Sequence, residues 1–379
     1  STTSRAPNDL LSMKPSRWRS TTANTGSPSL PLALSADQKT RDIAMASSVC
    51  AVRWSQERST LGPLPVIPPV AHFVWLGATF PWLNALAVVS AAKVGGFERI
   101  VVHVSEELED TPHLRPLARF GSVELRRIEL QALARATSER AARIHRLYED
   151  MTSAAARSDV LRALILGSEG GVYLDVDTVT VADFSRLRAS QAFVGQERIC
   201  FPEWSTRRHS VRERARAYGL SALRWTLARV PDGYRVYARA PHLYALAVNN
   251  AVLGTEPGHT LIRAYIEGML AMPPEVARKR YAVGPHLLAR VCRDAETGSV
   301  ALLPPQSFYP LGPVMSEAWW SPCASPNLER VLSDQTVSVH WYASVRSRKL
   351  ADRVDTAYVR QHQDRQLFSK LASRYLDGF

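Results

Sequence analysis

Residues 153–177 constrain the possible folds of this chain more than any other stretch. They read SAAARSDVLRALILGSEGGVYLDVD. Ser153 is a typical helix N-cap residue, and the residues after it favour a helix that the glycine pair would end. The apolar run after the glycines predicts a buried β-strand that finishes on Asp175 and Asp177. Two carboxylates there are costly unless a cation compensates them or they point into water.

From residue 66 onward the chain alternates strand-like and helix-like segments. Apolar runs at 66–77, 99–105 and 123–130 predict strands, whereas 81–96 and 131–149 predict helices. This alternation favours an α/β fold with a mostly parallel central sheet and helical additions. A hydrophobic fraction of 46% suits a sizeable core. The later segments are an apolar run at 243–256, a predicted strand with its exit loop at 300–310 and a late strand in 336–345 that ends in His340 and Trp341. Helices are predicted at 258–272 and 284–295.

Composition divides the chain into a tail and one domain. Residues 1–62 are rich in Ser, Thr and Pro, which predicts a disordered or extended tail. Residues 63–379 form the predicted domain, with a basic insertion at 198–245 and a charged helical segment at 348–379. No run approaches the ~18–20 apolar residues of a membrane span. We therefore expect a soluble cytoplasmic protein, with a truncated anchor as the alternative.

The basic residues are concentrated in one part of the chain. The formal net charge is +12, and residues 198–229 contain eight arginines and two glutamates. A positive surface allows an anionic partner such as nucleic acid, a membrane surface or a phosphorylated ligand, and does not choose among them. A solvated helix or a lid over a diphosphate explains the same residues without a macromolecular partner.

Asp175 and Asp177 form a D-x-D sequence at the predicted strand end. Side chains alternate along a strand, so the two carboxylates point roughly the same way. Mg²⁺ and Mn²⁺ prefer oxygen ligands and often keep substrate phosphates in their shell. The sequence therefore predicts a divalent-cation site that carries a diphosphate. Asp159 and Arg162, three residues apart on one helix face, either form a surface ion pair or border this ligand.

The stretch 158–179 resembles the signature of the DXD sugar-transferase family, the glycosyltransferase sugar-binding region. That family includes yeast Golgi mannosyltransferases, clostridial glucosylating toxins and lactosylceramide α-1,4-galactosyltransferase. The shared pattern is S-D-x-x-R, a Leu-rich turn and G-G-x-Y-x-D-x-D. The resemblance spans roughly residues 66–345, through further similar segments at 71–77, 248–259, 283–291, 304–310 and 339–344.

The resemblance implies a role for individual residues. Asp159, Arg162, Asp175 and Asp177 would be catalytic, with Asp175 bridging the ribose and the metal and Asp177 a direct metal ligand. His340 would complete the metal shell. The donor would also contact Trp75 at the base, Asp159 and Arg162 at the sugar and diphosphate, Tyr173 at the pocket wall, Asn249 near the sugar and Trp341 at the leaving phosphate. Alternatives stay open: core packing for Trp75, a backbone-bonded core histidine for His340, and Asn250 in place of Asn249.

The resemblance also implies a GT-A-type nucleotide-sugar-binding fold and a reaction. The expected enzyme is a retaining DXD hexosyltransferase that uses Mn²⁺ or Mg²⁺ and moves a sugar from a nucleotide-sugar donor, UDP favoured, to an acceptor hydroxyl. The acceptor would be a small molecule, a glycan or a protein. The alternatives are a glycosyltransferase that modifies nucleic acid through the arginine-rich segment, and a non-catalytic nucleotide-sugar-binding protein. The insertion at 198–245 departs from the family pattern.

Overall fold

A computed structural model describes residues 66–201, 211–230, 232–295, 298–343 and 353–379. The predicted tail at 1–62 lies outside these residues, as do parts of the basic insertion and of the C-terminal segment. The described strands are β1 Val70–Trp75, β2 Arg99–Val104, β3 Val123–Arg127, β4 Gly171–Leu174, β5 Thr178–Thr180, β6 Ala192–Ile199, β7 Ala245–Thr255, β8 Ala301–Leu303 and β9 Ser338–His340.

The described α-helices are α1 Trp82–Val94, α2 Leu130–Thr137, α3 Ala141–Asp150, α4 Ala154–Glu169, α5 Val211–Leu227, α6 Tyr234–Tyr237, α7 Thr260–Ala271, α8 Pro274–Ala277, α9 Leu287–Asp294, α10 Thr356–His362 and α11 Leu367–Ala372. The predicted helix at 131–149 is thus two helices, α2 and α3. Helix α4 begins as expected, because the Ser153 hydroxyl accepts the Ala156 N–H at 3.2 Å. Short 3₁₀ turns occur at Leu117–Arg119, Leu187–Ala189, Pro241–Leu243, Pro305–Ser307, Ser316–Trp319, Leu328–Arg330 and Ser373–Gly378.

Seven of these strands form one sheet in the order β3-β2-β1-β4-β7-β6-β8. β1 pairs in parallel with β2 and β4, β2 with β3, and β6 with β8. β7 runs antiparallel to both β4 and β6. β5 and β9 form a separate antiparallel pair. The predicted α/β fold with a mostly parallel central sheet and helical additions is confirmed.

Helices cover both faces of this sheet, as its parallel strands require. One apolar core contains residues of α1, α10 and α11, and the other contains residues of α4, α7 and α9. Alternation along β4 sends Val172 and Leu174 into the first core and Tyr173 into the second. Tyr173 therefore faces α4, the helix that carries Asp159 and Arg162.

The glycine pair turns the chain from α4 directly into β4. Gly170 has φ 65° and Gly171 has φ 92°, a region that L side chains rarely adopt. A Cβ on Gly171 would lie 2.6 Å from the Val70 carbonyl oxygen and 3.0 Å from His72 Nε2. Glycine is therefore required for β4 to pair with β1 so soon after the helix ends.

Two buried histidines lie beside this turn. His72 Nε2 donates to the Gly170 carbonyl at 3.0 Å, so the Nδ1 of a neutral His72 is an acceptor. His103 Nε2 lies 3.1 Å from that Nδ1 and is therefore the donor. Burial lowers the pKa of His72 to about 4 and that of His103 to about 3. Both imidazoles are neutral in the folded protein near neutral pH.

We expect Gly171→Ala to lower the free energy of unfolding by about 2–4 kcal/mol, because it adds a strained φ and a clash with backbone. Urea unfolding followed by circular dichroism measures this loss. Gly121→Ala is the matched control, since a Cβ at Gly121 meets no atom within 4 Å. Equal stability of the two variants would contradict this explanation of the glycine pair.

The histidine pair predicts a loss of stability as the pH falls. Both folded pKa values lie below the ordinary value of 6.5, so the unfolded chain binds more protons between about pH 4 and 6.5. Their contribution is complete above pH 6.5 and is lost toward pH 4, by about 1.4 kcal/mol for each unit of pKa difference. In His103→Gln, whose amide can still donate to His72, the decline that the pair causes between pH 7.5 and 5 should be roughly halved, because only His72 is left to gain a proton on unfolding. His242→Gln, a change at an exposed histidine, is the control. If stability declines as much in His103→Gln as in the unmodified protein, the histidine pair is not the cause of the pH dependence.

Candidate functional site

The D-x-D residues lie in a turn just past β4, not within the strand. β4 ends at Leu174, and the Thr178 N–H donates to the Asp175 carbonyl at 3.1 Å. The Thr178 hydroxyl donates to the same carbonyl at 2.8 Å. The turn, rather than the alternation of a strand, therefore brings the carboxylates of Asp175 and Asp177 close together.

Arg162 is the centre of a buried charge cluster, and its residue is only 3% exposed. Its Nη2 lies 3.1 Å from Oδ1 of both Asp159 and Asp175. Its Nη1 donates to the Asn250 carbonyl. The Tyr173 ring lies under the guanidinium, with 4.4 Å from Cζ to the ring centre, and its hydroxyl donates to Asp175 Oδ1 at 3.0 Å. One cation thus compensates two acids, which excludes the surface ion pair for Asp159 and Arg162.

A β-bulge brings Asn250 to this cluster. The register between β6 and β7 shifts between Val194 and Gly195, and Asn250 is among the β7 residues left unpaired with β6. Its side-chain Nδ2 donates to Asp159 Oδ1 at 2.8 Å. Burial raises the pKa of Asp159 to about 6, and Arg162 and this hydrogen bond oppose the increase.

The second D-x-D residue is held by the chain around and after β9. β5 follows the turn directly and pairs with β9, with Thr178 opposite His340. His340 Nε2 lies 2.9 Å from Asp177 Oδ1, and the Ala343 N–H donates to Asp177 Oδ2 at 2.8 Å. The Trp341 N–H donates to the Asp177 carbonyl at 3.1 Å. Residues 340–343 therefore fix Asp177 through both its side chain and its backbone.

The two D-x-D carboxylates have opposite electrostatic environments. Burial raises the pKa of Asp175, and the charge of Asp177 adds to the increase, against the effect of Arg162. Burial acts in the same direction on Asp177, but the charge of His340 and its hydrogen bond lower the pKa of Asp177 below its ordinary value. Burial opposes the charge on His340, yet Asp177 raises the pKa of that imidazole. Asp177 and His340 thus stabilise each other's charged forms.

Asp175, Asp177 and His340 together fit a divalent cation. One ligand atom from each lies within 4.8 Å of the other two. Two carboxylate oxygens and an imidazole nitrogen form a donor set that suits Mn²⁺, and the carboxylates also suit Mg²⁺. Binding a cation would replace the His340–Asp177 contact and relieve the repulsion between the two acids.

Glu197 anchors the segment that carries His340. Its Oε2 accepts the Tyr342 hydroxyl at 2.6 Å and Asn249 Nδ2 at 2.8 Å, and burial raises the pKa of this acid. Tyr342 has φ 61°, which is uncommon for a bulky residue. Its ring centre lies 4.0 Å from that of His340. The bond to Glu197 therefore helps to hold the strained turn that directs His340 toward Asp177.

Trp75 lies at the same edge of the sheet as the D-x-D turn. β1 and β4 are parallel, with His72 opposite Tyr173, so the carboxyl ends of the two strands meet there. The Trp75 side chain is half-buried, and its Nε1 donates to the Thr79 carbonyl at 3.1 Å. This position suits contact with a ligand at the strand ends.

The Trp341 side chain lies in the apolar core. It is 1% exposed, and its ring centre lies 5.5 Å from those of Trp320 and Phe368. This placement differs from the contact with a leaving phosphate that the resemblance implies, because packing in the core turns the indole away from solvent. Only the backbone N–H of Trp341 reaches the D-x-D turn.

The side chains of Asn249 and Asn250 have different hydrogen-bond partners. The Asn249 side chain donates to Glu197 and accepts the Ala251 N–H at 2.7 Å, so its polar atoms are engaged within the protein. Asn250, the alternative left open above, is the residue that contacts Asp159. The carboxamide next to Asp159 is therefore that of Asn250.

Residues 90–194 match a family described as "Glycosyltransferase sugar-binding region containing DXD motif". The match includes both D-x-D carboxylates and Arg162, which form the charge cluster described above. This segment is similar to that family. The resemblance noted in the sequence is thereby confirmed. The match covers less than a third of the chain, and β7, β9 and His340 lie outside it.

The chain is also similar to solved structures of glycosyltransferases. PaToxG glycosyltransferase is 16% identical with a TM-score of 0.38, over 68% of this chain and 77% of that one. The UDP-bound glycosyltransferase domain of the YGT toxin is 12% identical with a TM-score of 0.36, over 63% and 80%. Mouse xyloside xylosyltransferase 1 is 11% identical with a TM-score of 0.37, over 71% and 96%. A comparison with curated proteins gives no match.

Sequence reasoning did not single out Glu197, Tyr342 or Gly284. A Cβ on Gly284 would lie 2.4 Å from Asp159 Oδ2, so glycine allows this backbone to approach the acid. Gly284 belongs to the segment 283–291 that resembles the family, which was an available signal. A lone acid just before the basic insertion and a tyrosine after His340 carry no comparable signal.

We expect Arg162→Met to lower the free energy of unfolding by about 3–5 kcal/mol at pH 7.5, because it leaves two buried acids uncompensated. The loss should be smaller at pH 5. Without Arg162 the folded pKa values of both acids rise further above their unfolded values, so protonation at low pH favours the folded variant. Urea unfolding at both pH values measures this difference. Arg143→Met is the control, because it removes a hydrogen bond to the Leu270 carbonyl but no ion pair to a buried acid. A loss of stability in Arg162→Met that is independent of pH would contradict the claim that Arg162 compensates the two buried acids.

Proposed function

We propose that the chain is a metal-dependent GT-A-type glycosyltransferase that transfers a sugar from a UDP-sugar to an acceptor hydroxyl with retention of configuration. The observation that carries this proposal is the convergence of Asp175, Asp177 and His340 next to the Arg162 cluster. The family match supports the transferase class. The sheet topology, with the D-x-D turn at the carboxyl edge of parallel strands, supports the GT-A assignment.

Asp175, Asp177 and His340 would hold Mn²⁺ or Mg²⁺. When bound, the ion would neutralise negative charge on the leaving diphosphate as a Lewis acid. The protein prepares for this by keeping Asp177 ionised through His340 and Ala343. Tyr173 and Arg162 keep the Asp175 carboxylate oriented by donating to its Oδ1.

Arg162 and Asp159 act mainly as positioning residues in this proposal. The guanidinium is already committed to two carboxylates and the Asn250 carbonyl. It therefore fixes Asp175 and adds positive charge near the diphosphate. Asp159, held by Arg162 and Asn250, would accept hydrogen bonds from hydroxyls of the donor sugar. Trp75 would stack on the base at the sheet edge.

Transfer with retention would proceed by attack on the same face that the leaving group departs. The bond between the anomeric carbon and the diphosphate oxygen breaks while a bond to the acceptor oxygen forms. The acceptor proton passes to the departing diphosphate, so the step needs no protein nucleophile.

In the described residues, none of the helices has both the length and the apolar character of a membrane span.

Thermal unfolding against a panel of nucleotide sugars, with and without Mn²⁺, tests the donor and the metal together. A ligand present at 100 times its Kd stabilises the folded state by about 2.7 kcal/mol. We expect a UDP-sugar to raise the midpoint only when Mn²⁺ is present. No shift with any donor would contradict the proposed site, and a shift without donor hydrolysis or transfer would favour the non-catalytic alternative.

The Asp177→Asn variant should lose the metal-dependent shift and at least about 100-fold of the transfer rate, because it removes a charged ligand of the ion. Asp334→Asn, a change at an exposed acid, should retain both. Mn²⁺ affinity by isothermal titration provides a readout besides activity. Normal Mn²⁺ affinity in Asp177→Asn would overturn the ligand assignment.

A further inference from the structure

Helix α5 lies on the surface of the domain and is attached along one side only. Ala217 and Leu227 are buried, and Leu220 packs against the core beside them. Arg224 on the same side donates from Nε to the Val314 carbonyl at 2.7 Å and forms an ion pair with Glu317. The spacing of these residues by three or four positions leaves the opposite side of the helix facing outward.

The outward side combines large apolar groups with positive charge. Val211, Tyr218 and Trp225 recur every seven residues and are 75%, 67% and 55% exposed. Arg214 lies on the same side within the helix, and the Arg229 guanidinium lies 3.6 Å from the centre of the Trp225 ring. These five residues are called the α5 patch below.

Further exposed apolar residues lie next to the α5 patch. Val230 directly follows Arg229 and is 51% exposed, and the Phe201 ring packs edge-on against Tyr218 with 5.4 Å between centres. A helix of this kind exposes apolar area at a cost, unless a partner covers it.

We propose that the α5 patch docks on an anionic lipid surface. An interfacial helix places Trp, Tyr and aliphatic side chains at the boundary of head groups and acyl chains, while its arginines bind lipid phosphates and carboxylates. The net charge of +12 favours the same partner. Nucleic acid would use the arginines, but it would leave Val211 and Val230 in water, so the aliphatic groups favour lipid.

The α5 patch is connected to the candidate site by a short stretch of chain. β6 carries Glu197 in the site, and Phe201 follows four residues later, within about 13 Å at ~3.3 Å per residue. Phe201 in turn contacts Tyr218 of the patch. Docking of α5 would therefore hold the candidate site close to the bilayer surface. The lipid contact itself does not require that the site be a glycosyltransferase.

Co-sedimentation of the full chain with vesicles tests this proposal. We expect binding at 0.15 M salt to phosphatidylcholine vesicles that contain about 30% phosphatidylserine, and much weaker binding to phosphatidylcholine alone. Tyr218→Ser with Trp225→Ser should weaken binding about tenfold or more, because the inserted rings are lost. Arg214→Gln with Arg229→Gln should weaken binding to the anionic vesicles by a similar factor.

Controls distinguish binding through the α5 patch from non-specific electrostatic and hydrophobic binding. Leu125→Ser with Arg115→Gln changes an exposed apolar residue and an exposed arginine elsewhere, and should leave binding unchanged. Circular dichroism checks that all variants are folded. Binding undiminished in both α5 double variants would overturn the proposal, as would no binding to anionic vesicles. Binding to a 30-nucleotide RNA with steep salt dependence, in the absence of vesicle binding, would also overturn it.

Discussion

A single buried guanidinium makes this site chemically tolerable. Arg162 is in contact with Asp159 and Asp175, which lie on different elements of the fold, and with the backbone of β7. Without it, two acids would be desolvated next to the carboxylate of Asp177. Helix α4, strand β4 and the bulged strand β7 must therefore all be correctly positioned for the Arg162 guanidinium to meet its partners. Stability of the domain and formation of the site depend on the same contacts.

The two acids of the D-x-D turn are consequently not equivalent. Asp175 is tied to Arg162 and Tyr173, inside the domain, whereas Asp177 is tied to His340 and to the Ala343 N–H. The pKa of the first is raised and that of the second is lowered. A cation between them would meet one carboxylate braced by the core and another braced by the C-terminal part of the domain.

Local signals predicted what depends on local structure. The N-cap at Ser153 and the helix end at the glycine pair follow from neighbouring residues. The predicted strand agrees with β4 as far as Leu174, but Asp175 and Asp177 lie in the turn that follows. The parallel sheet followed from the alternation of segments. The family resemblance brought His340 to the site, where the structure also has it. These signals together predicted the part of the site that contains Asp175, Asp177 and His340.

The remaining parts depend on tertiary packing that no local pattern encodes. The register shift between β6 and β7 decides that Asn250, not Asn249, contacts Asp159. The position of Trp341 follows from packing against Trp320 and Phe368. Glu197 is an unremarkable acid in the sequence, and only its bonds to Tyr342 and Asn249 show that it braces the site.

The pairing of β5 with β9 has a consequence for how the protein forms. It joins the D-x-D turn to a segment far along the chain, and the Asp177–Ala343 hydrogen bond spans 166 residues of sequence. Contacts of such long range form late, because closing the loop costs entropy before the contact is gained. During synthesis the D-x-D turn would emerge well before its histidine partner. A nascent chain therefore carries two of the three candidate cation ligands, Asp175 and Asp177, until β9 has left the ribosome. The donor set is then complete before α10 and α11, which pack in the core, have emerged.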